Sequence, residues 1–452
     1  MVTLMGALAC AEDTPDPSAS QGGMSAGVVG GASAAPGGGG AAGGEPTSGA
    51  STTTGPSYGA AGGETTNGSS GGSHNGGSGA TAGSSSEATS TDDTSSDDPI
   101  DAGPTGTAHS DGGIDPHSWE GCDDFELPAG CTIPEGAVLP GELRCTGLYS
   151  NWEERTHRCG VEAYKPAYEL WSDGAEKQRY VWLPPGQTVD VSNPDDFDYP
   201  VGTRFWKEFY VGPEGEQKLG ETRYMLKSSL GWLYTVYVWN EDGTAALQEN
   251  EGVDDLFATG HSVPSREQCK SCHIGRKDFI LGWDFIMLGE GATGVTAATL
   301  ADAGLLEGLD PAWLDLAPPG DSVEQAALAY LHANCGVSCH NTTLDATGNP
   351  SGLYLRLELD SMSSPLETAA AAAINQLPAP NAKMGGLPEL VYYDFRPGDP
   401  ERSLVYARMN VRGSETAMPA LGTHQVDPEG LSVVKAWIDA MTEELGYPPP
   451  AP

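Results

Sequence analysis

The chain has 452 residues, and its 22 Lys and Arg face 63 Asp and Glu, for a formal charge of −41. That balance argues against nucleic acid as a partner, which needs a basic face. Beyond the first residues, no stretch approaches the roughly 18 apolar residues of a membrane-spanning helix.

The opening residues, MVTLMGALAC, end in small side chains before Cys10 and lead straight into a polar tract. They resemble the end of a bacterial lipoprotein signal. Residues 1–10 are therefore expected to be a truncated signal with Cys10 as the lipid-bearing residue. The expected location is the periplasm, outer membrane or cell surface, with membrane contact only through the lipid anchor. Residues 11–117 are Gly, Ser, Ala and Thr with scattered carboxylates, and no Lys or Arg occurs before Arg144. Too little apolar surface is present to offset the entropy of ordering them, so a disordered linker is expected. About 335 residues remain for folded structure, enough for two modest domains. They are still acidic, since 13 of the 63 carboxylates precede residue 116 and every basic residue follows it. Such acidity marks a solvated surface first, and it also suits a basic redox partner protein.

Residues 118–262 read as a cysteine-containing β-rich domain. Cys122, Cys131, Cys145 and Cys159 cluster just after the linker, which in an oxidising compartment implies two disulfides with three possible connectivities. The local pairing, Cys122 with Cys131 and Cys145 with Cys159, is the expected one; free thiols or a zinc site are the alternatives. TRFWKEFYV (203–211) and WLYTVYVW (232–239) are rich in aromatic and β-branched residues. In the second, Trp232, Tyr234, Val236 and Val238 face one side and Leu233, Thr235, Tyr237 and Trp239 the other. Both faces are largely apolar, so a buried central strand of a sandwich-like domain is predicted. Asn240 to Gly243 supply turn chemistry, and WSDG (171–174) reads as a turn capped by Ser172 or Asp173, in preference to a source of polar site groups.

Residues 263–320 carry the first motif. Ser265 and Gln268 make a capping box leading into CKSCH (269–273), and Thr296 is placed to cap a helix through Leu300 to Leu306. Cys269, Cys272 and His273 have the spacing of a c-type haem attachment site: two thiols for the vinyl groups and an adjacent imidazole for the iron. His261 and Met287 are the nearby candidates for the far side of that iron, and each is more readily structural.

After the break at 318–320, residues 321–446 carry the second motif. Ser322 and Gln325 suggest a capping box, and Val323, Ala326, Ala327, Tyr330, Leu331 and Asn334 form one helical face. It ends in NCGVSCHN (334–341), where Cys335, Cys339 and His340 have three residues between the cysteines. Gly336 is expected to let that enlarged loop pucker. An alanine run spans Ala369 to Ala373, and Asp399 with Pro400 is expected to cap a small helix. In AMPALG (417–422), Met418 is the candidate distal ligand, with His424 in reserve. Asp427 and Pro428 start a last helix striped by Val434, Trp437, Ile438, Met441 and Leu445. Residues 447–452 are a Pro-rich tail. A zinc site from Cys269, Cys272, Cys335 and Cys339, or a disulfide within each pair, is the competing use of these thiols.

The order of a helix ending in Cys-Cys-His, a Met-Pro loop and a closing helix with Trp437 at the crossing resembles a class I cytochrome c domain. The resemblance implies an all-α domain in which Cys335 and Cys339 hold haem c, His340 is proximal and Met418 distal. Two departures are the extra residue in the motif and the spacing of 78 positions from His340 to Met418. ELWSDGAEKQR (169–179) followed by PSREQCKSCH (264–273) is similar to exported bacterial proteins that pair a β-rich domain with Cys-x-x-Cys-His. Together these imply an exported dihaem c-type cytochrome that carries electrons. The alternatives are a haem-dependent oxidoreductase, using an open first haem or the β domain as substrate site, and an adhesive surface protein. No dinucleotide loop, H-E-x-x-H or G-x-S-x-G strengthens the enzyme reading.

Overall fold

Alternating large side chains build seven strands: β1 (Glu162–Lys165), β2 (Glu176–Trp182), β3 (Arg204–Val211), β4 (Lys218–Ser228), β5 (Gly231–Trp239), β6 (Ala246–Glu249) and β7 (Thr293–Gly294). The computed structural model describes Cys122, residues 127–132 and residues 138–452; Cys10 and most of the region expected to be a linker lie outside it. The strands form one antiparallel sheet in the order β7-β1-β2-β3-β4-β5-β6. Consecutive strands pair from β1 to β6, and β7 returns from the first-motif segment to the edge beside β1.

This single sheet replaces the expected sandwich. Loops and helices, not a second sheet, pack on its two faces. β5 is next to the edge strand rather than central, because only the short β6 follows it. Its two faces nonetheless divide as the alternation predicts. Leu233, Tyr237 and Trp239 pack with Trp206 and Tyr224 under Leu139, Leu143 and Leu148. Trp232 joins Phe205, Trp283 and Phe285 on the opposite face, where Val236 packs with Phe209 and Val263.

The disulfides are Cys122–Cys159 and Cys131–Cys145, not the local pairs. Between Cys145 and Cys159 the chain makes a hairpin, Tyr149–Asn151 against Thr156–His157. Leu143 and Tyr149 are anchored in the core on either side of its start. That wrapping, rather than nearness in sequence, decides the partners. Replacing Cys131 and Cys145 together by alanine is expected to cost about 3 kcal/mol, from the loop-closure entropy of a roughly 15-residue loop. Urea unfolding measures the loss, and a non-reducing peptide map joining Cys122 to Cys131 would overturn the pairing.

The helices are α1 (Arg266–His273), α2 (Ala297–Asp302), α3 (Ser322–Leu331), α4 (Ala369–Ala372), α5 (Leu404–Met409) and α6 (Pro428–Ala440). α1 has the expected box between Ser265 and Gln268. α2 is capped by Thr296 but stops short of Leu306, which pairs with Val189 instead. α3 starts one residue earlier than read: Asp321 accepts from Val323 and Glu324, and Glu324 returns the bond to the Asp321 N–H. A carboxylate at this cap outcompetes the Ser322 hydroxyl because it also complements the helix dipole. α6 begins at Asp427 as expected, but Leu445 lies beyond its end and is 49% exposed. α3 and α6 bury Ala327, Leu331, Val434, Trp437 and Ile438 in one core, with Phe395 edge-on to Trp437 at 5.1 Å. Ile286, from the first-motif segment, belongs to the same core. No helix among the described residues is long and apolar enough to cross a membrane.

Candidate functional site: one cavity shared by two Cys-Cys-His motifs

Both motifs face the same space. A cavity of about 600 Å³ is lined by Cys269, Cys272 and His273 from α1 and by Cys335, Cys339 and His340 beyond α3. That volume falls within the range of ligand and cofactor sites. Met418 and Met287 also line it.

The motifs are neighbours because Gly275 sits against the second one: a Cβ there would overlap the carbonyl oxygen of Ser338. Any side chain at 275 would push the two apart. The same holds for Gly336, where a Cβ would overlap the Arg356 backbone. Gly336 is therefore required for close approach of two chain segments, and not for freedom of the loop. The extra residue of the second motif is absorbed differently. α3 continues as a wider turn over His332–Gly336, in which the Val337 N–H reaches the His332 carbonyl at 2.9 Å. The His340 N–H likewise reaches the Cys335 carbonyl, five residues back, at 2.8 Å. Such i to i+5 turns accommodate one inserted residue in a helix.

All four motif cysteines are free thiols, whereas Cys122, Cys131, Cys145 and Cys159 are bridged. Disulfides within the motif pairs are thus absent. Burial pushes the Cys272 thiol up to about 11 and the Cys335 thiol up to about 12, with the nearby Cys339 sulfur adding to each rise. Among the described residues no three His, Cys, Asp or Glu side chains converge on a metal position.

The two histidines are oriented alike. His273 Nδ1 lies 2.5 Å from the Phe279 carbonyl oxygen, and His340 Nδ1 lies 3.2 Å from that of Leu353. A carbonyl only accepts, so in each ring Nδ1 carries the proton and Nε2 keeps a lone pair. This is the arrangement by which proteins orient a metal-binding imidazole. Burial lowers the pKa of His273 to about 4 and also lowers that of His340, which favours the neutral form of each ring.

Met418 is fixed through its backbone. Its N–H donates to the Arg408 carbonyl at 3.0 Å, and its carbonyl accepts from Arg412 Nη1 at 3.0 Å. His261 lines the cavity, but its Nε2 donates to Glu221 at 2.9 Å. His424 is exposed and engages Asp173 only through its backbone N–H.

Two features were not anticipated, the first being the contacts that the expected WSDG turn makes. WSDG is a turn, with Asp173 and Gly174 in left-handed conformations. It also acts as a clamp: the Asp173 carboxylate accepts from the backbone N–H groups of His424 and Gln425, just beyond the Met418 loop. Trp171 donates its N–H to Asn334 Oδ1 at 2.7 Å, beside Cys335. The second feature is a row of bases, Arg179, Lys207 and Arg223, on the cavity wall. The available signal was Lys207 between Phe205 and Phe209 on one face of β3, a charge where the alternation calls for an apolar residue.

No family model matches this sequence, and comparison with curated proteins and with solved structures finds no match.

Proposed function

We propose that the protein is an exported c-type cytochrome whose two motifs each hold a haem in the shared cavity, and that it transfers electrons. The observation that carries this reading is the pairing in one cavity of four unbridged thiols with two imidazoles whose Nε2 atoms are free. Cys269 and Cys272 would hold one haem with His273 as its ligand. Cys335 and Cys339 would hold the other, with His340 proximal and Met418 distal. A haem held this way supplies one-electron chemistry at its iron, and methionine ligation raises its potential. The region from Asp321 to the end of α6 then serves as a class I cytochrome c-like unit, in which the α3–α6 core supports the attachment turn. Two disulfides suit an oxidising compartment, in keeping with export and a lipid on Cys10.

Protein made with haem-attachment machinery is expected to show two haems per chain by pyridine haemochrome, retained after denaturation. A colourless product would end the reading. One observation favours a second use: His261, the nearest histidine candidate for the first iron, is engaged by Glu221. An open position there would admit carbon monoxide or cyanide, and a catalytic oxidoreductase becomes the better description if one haem binds them rapidly.

A further inference from the structure

The cavity wall formed by the sheet is cationic, in a chain where carboxylates outnumber bases nearly three to one. Arg179 of β2 lies opposite Lys207 of β3, and Lys207 lies opposite Arg223 of β4. Three cations thus stand side by side across adjacent strands, and all three line the cavity. Like charges in register destabilise a sheet, and charges removed from water cost more still unless they are paired.

The carboxylates present do not complete the pairing. Glu169 takes one arm of Arg179, with Nη2 at 2.9 Å, while the buried Nη1 has no partner. Arg179 as a residue is only 6% exposed. Glu221 is committed to Arg223, at 2.7 Å from its Nη2, and to His261. Among the described residues no carboxylate forms an ion pair with Lys207, whose ammonium sits 4.8 Å from the Phe209 ring centre. Lys177 and Lys165, both beside Glu169, add a fourth and a fifth cation against these two carboxylates. Burial, then the neighbouring Arg179, Lys177 and Arg223 charges, pushes the Lys207 pKa well below the ordinary lysine value. An anion alongside would restore its ammonium form.

We infer that this row is a carboxylate seat, in which Arg179, Lys207 and Arg223 receive the two carboxylate groups of a porphyrin attached through the cavity thiols. This rests on the haem reading above. The sign of the charge fits, since cations exceed the carboxylates Glu169 and Glu221 here, and the two acid groups of one haem c would offset most of that excess. The sheet would then orient the cofactor that the helices attach.

The test compares holoprotein with its Lys207→Met, Arg179→Met and Lys207→Arg variants by resonance Raman spectroscopy and redox titration. Loss of a cation removes a like-charge contact, so the Met variants are expected to fold with unchanged haem content. Their propionate deformation bands shift and the potential of one haem falls, whereas Lys207→Arg keeps the native bands. Acetate and sulfate are titrated into each protein while the Soret band is followed. Unshifted propionate bands overturn the porphyrin seat, and an acetate or sulfate response abolished by Lys207→Met would instead assign the row to a free anion. If no haem is incorporated, the cofactor reading fails by itself. Isothermal titration of the haem-free chain with acetate then decides the row, and no heat of binding, or binding unaffected by Lys207→Met, eliminates the anion site as well.

Discussion

Replacing Cys335 and Cys339 together by alanine is expected to leave one covalent haem per chain instead of two. Mass spectrometry of the denatured protein reads the change directly. The complementary change at Cys269 and Cys272 removes the other haem, and all four substitutions leave none. The expectation follows from the wider turn: the His340 N–H bonded to the Cys335 carbonyl brings the motif back into helical step despite its additional residue. Both sulfurs and the imidazole then remain on the cavity side. Alanine fits these partly buried positions without opening the core, so the chain keeps its fold and the result reports attachment. Two haems surviving in the Cys335→Ala, Cys339→Ala protein would remove the second motif from the site.

Met418→Ala is expected to lower the potential of one haem on the order of 100 mV, a modest part of the roughly 0.8 V over which axial ligands act. It should also abolish the weak sulfur-to-iron absorption band while both haems stay attached. The loop is held through hydrogen bonds to its main chain. The Met418 N–H donates to the Arg408 carbonyl, the Met418 carbonyl accepts from the Arg412 guanidinium, and Asp173 fixes residues 424 and 425 beyond it. None of these bonds uses the Met418 side chain, so alanine preserves the loop and isolates the loss of the sulfur. An unchanged potential and an unchanged spectrum would exclude Met418 as a ligand.

Much of this was legible because it is local. The cap at Asp427, the box at Ser265 and the alternation of β5 each depend on residues within a few positions of one another. Where two local solutions were close in energy the reading slipped, as at α3, where Asp321 rather than Ser322 caps the helix. The disulfide partners were not legible, because a hairpin and two core anchors lie between the candidate cysteines and only packing brings Cys159 to Cys122. The sandwich was misjudged for a related reason: a strand apolar on both faces reports that it is covered, but not whether helices or strands cover it.

By itself, then, the sequence determined the chemistry available: two Cys-Cys-His motifs, a Met-Pro loop, four further cysteines and an acidic, alternating strand region. These are covalent or short-range properties, written in the order of the residues. Only the tertiary structure decided that both motifs share one cavity, since that depends on Gly275 meeting Ser338. It also decided that Arg179, Lys207 and Arg223 form a row, which follows from strand register. Contacts between residues distant in the chain are chosen by how surfaces pack, and no local pattern encodes that choice.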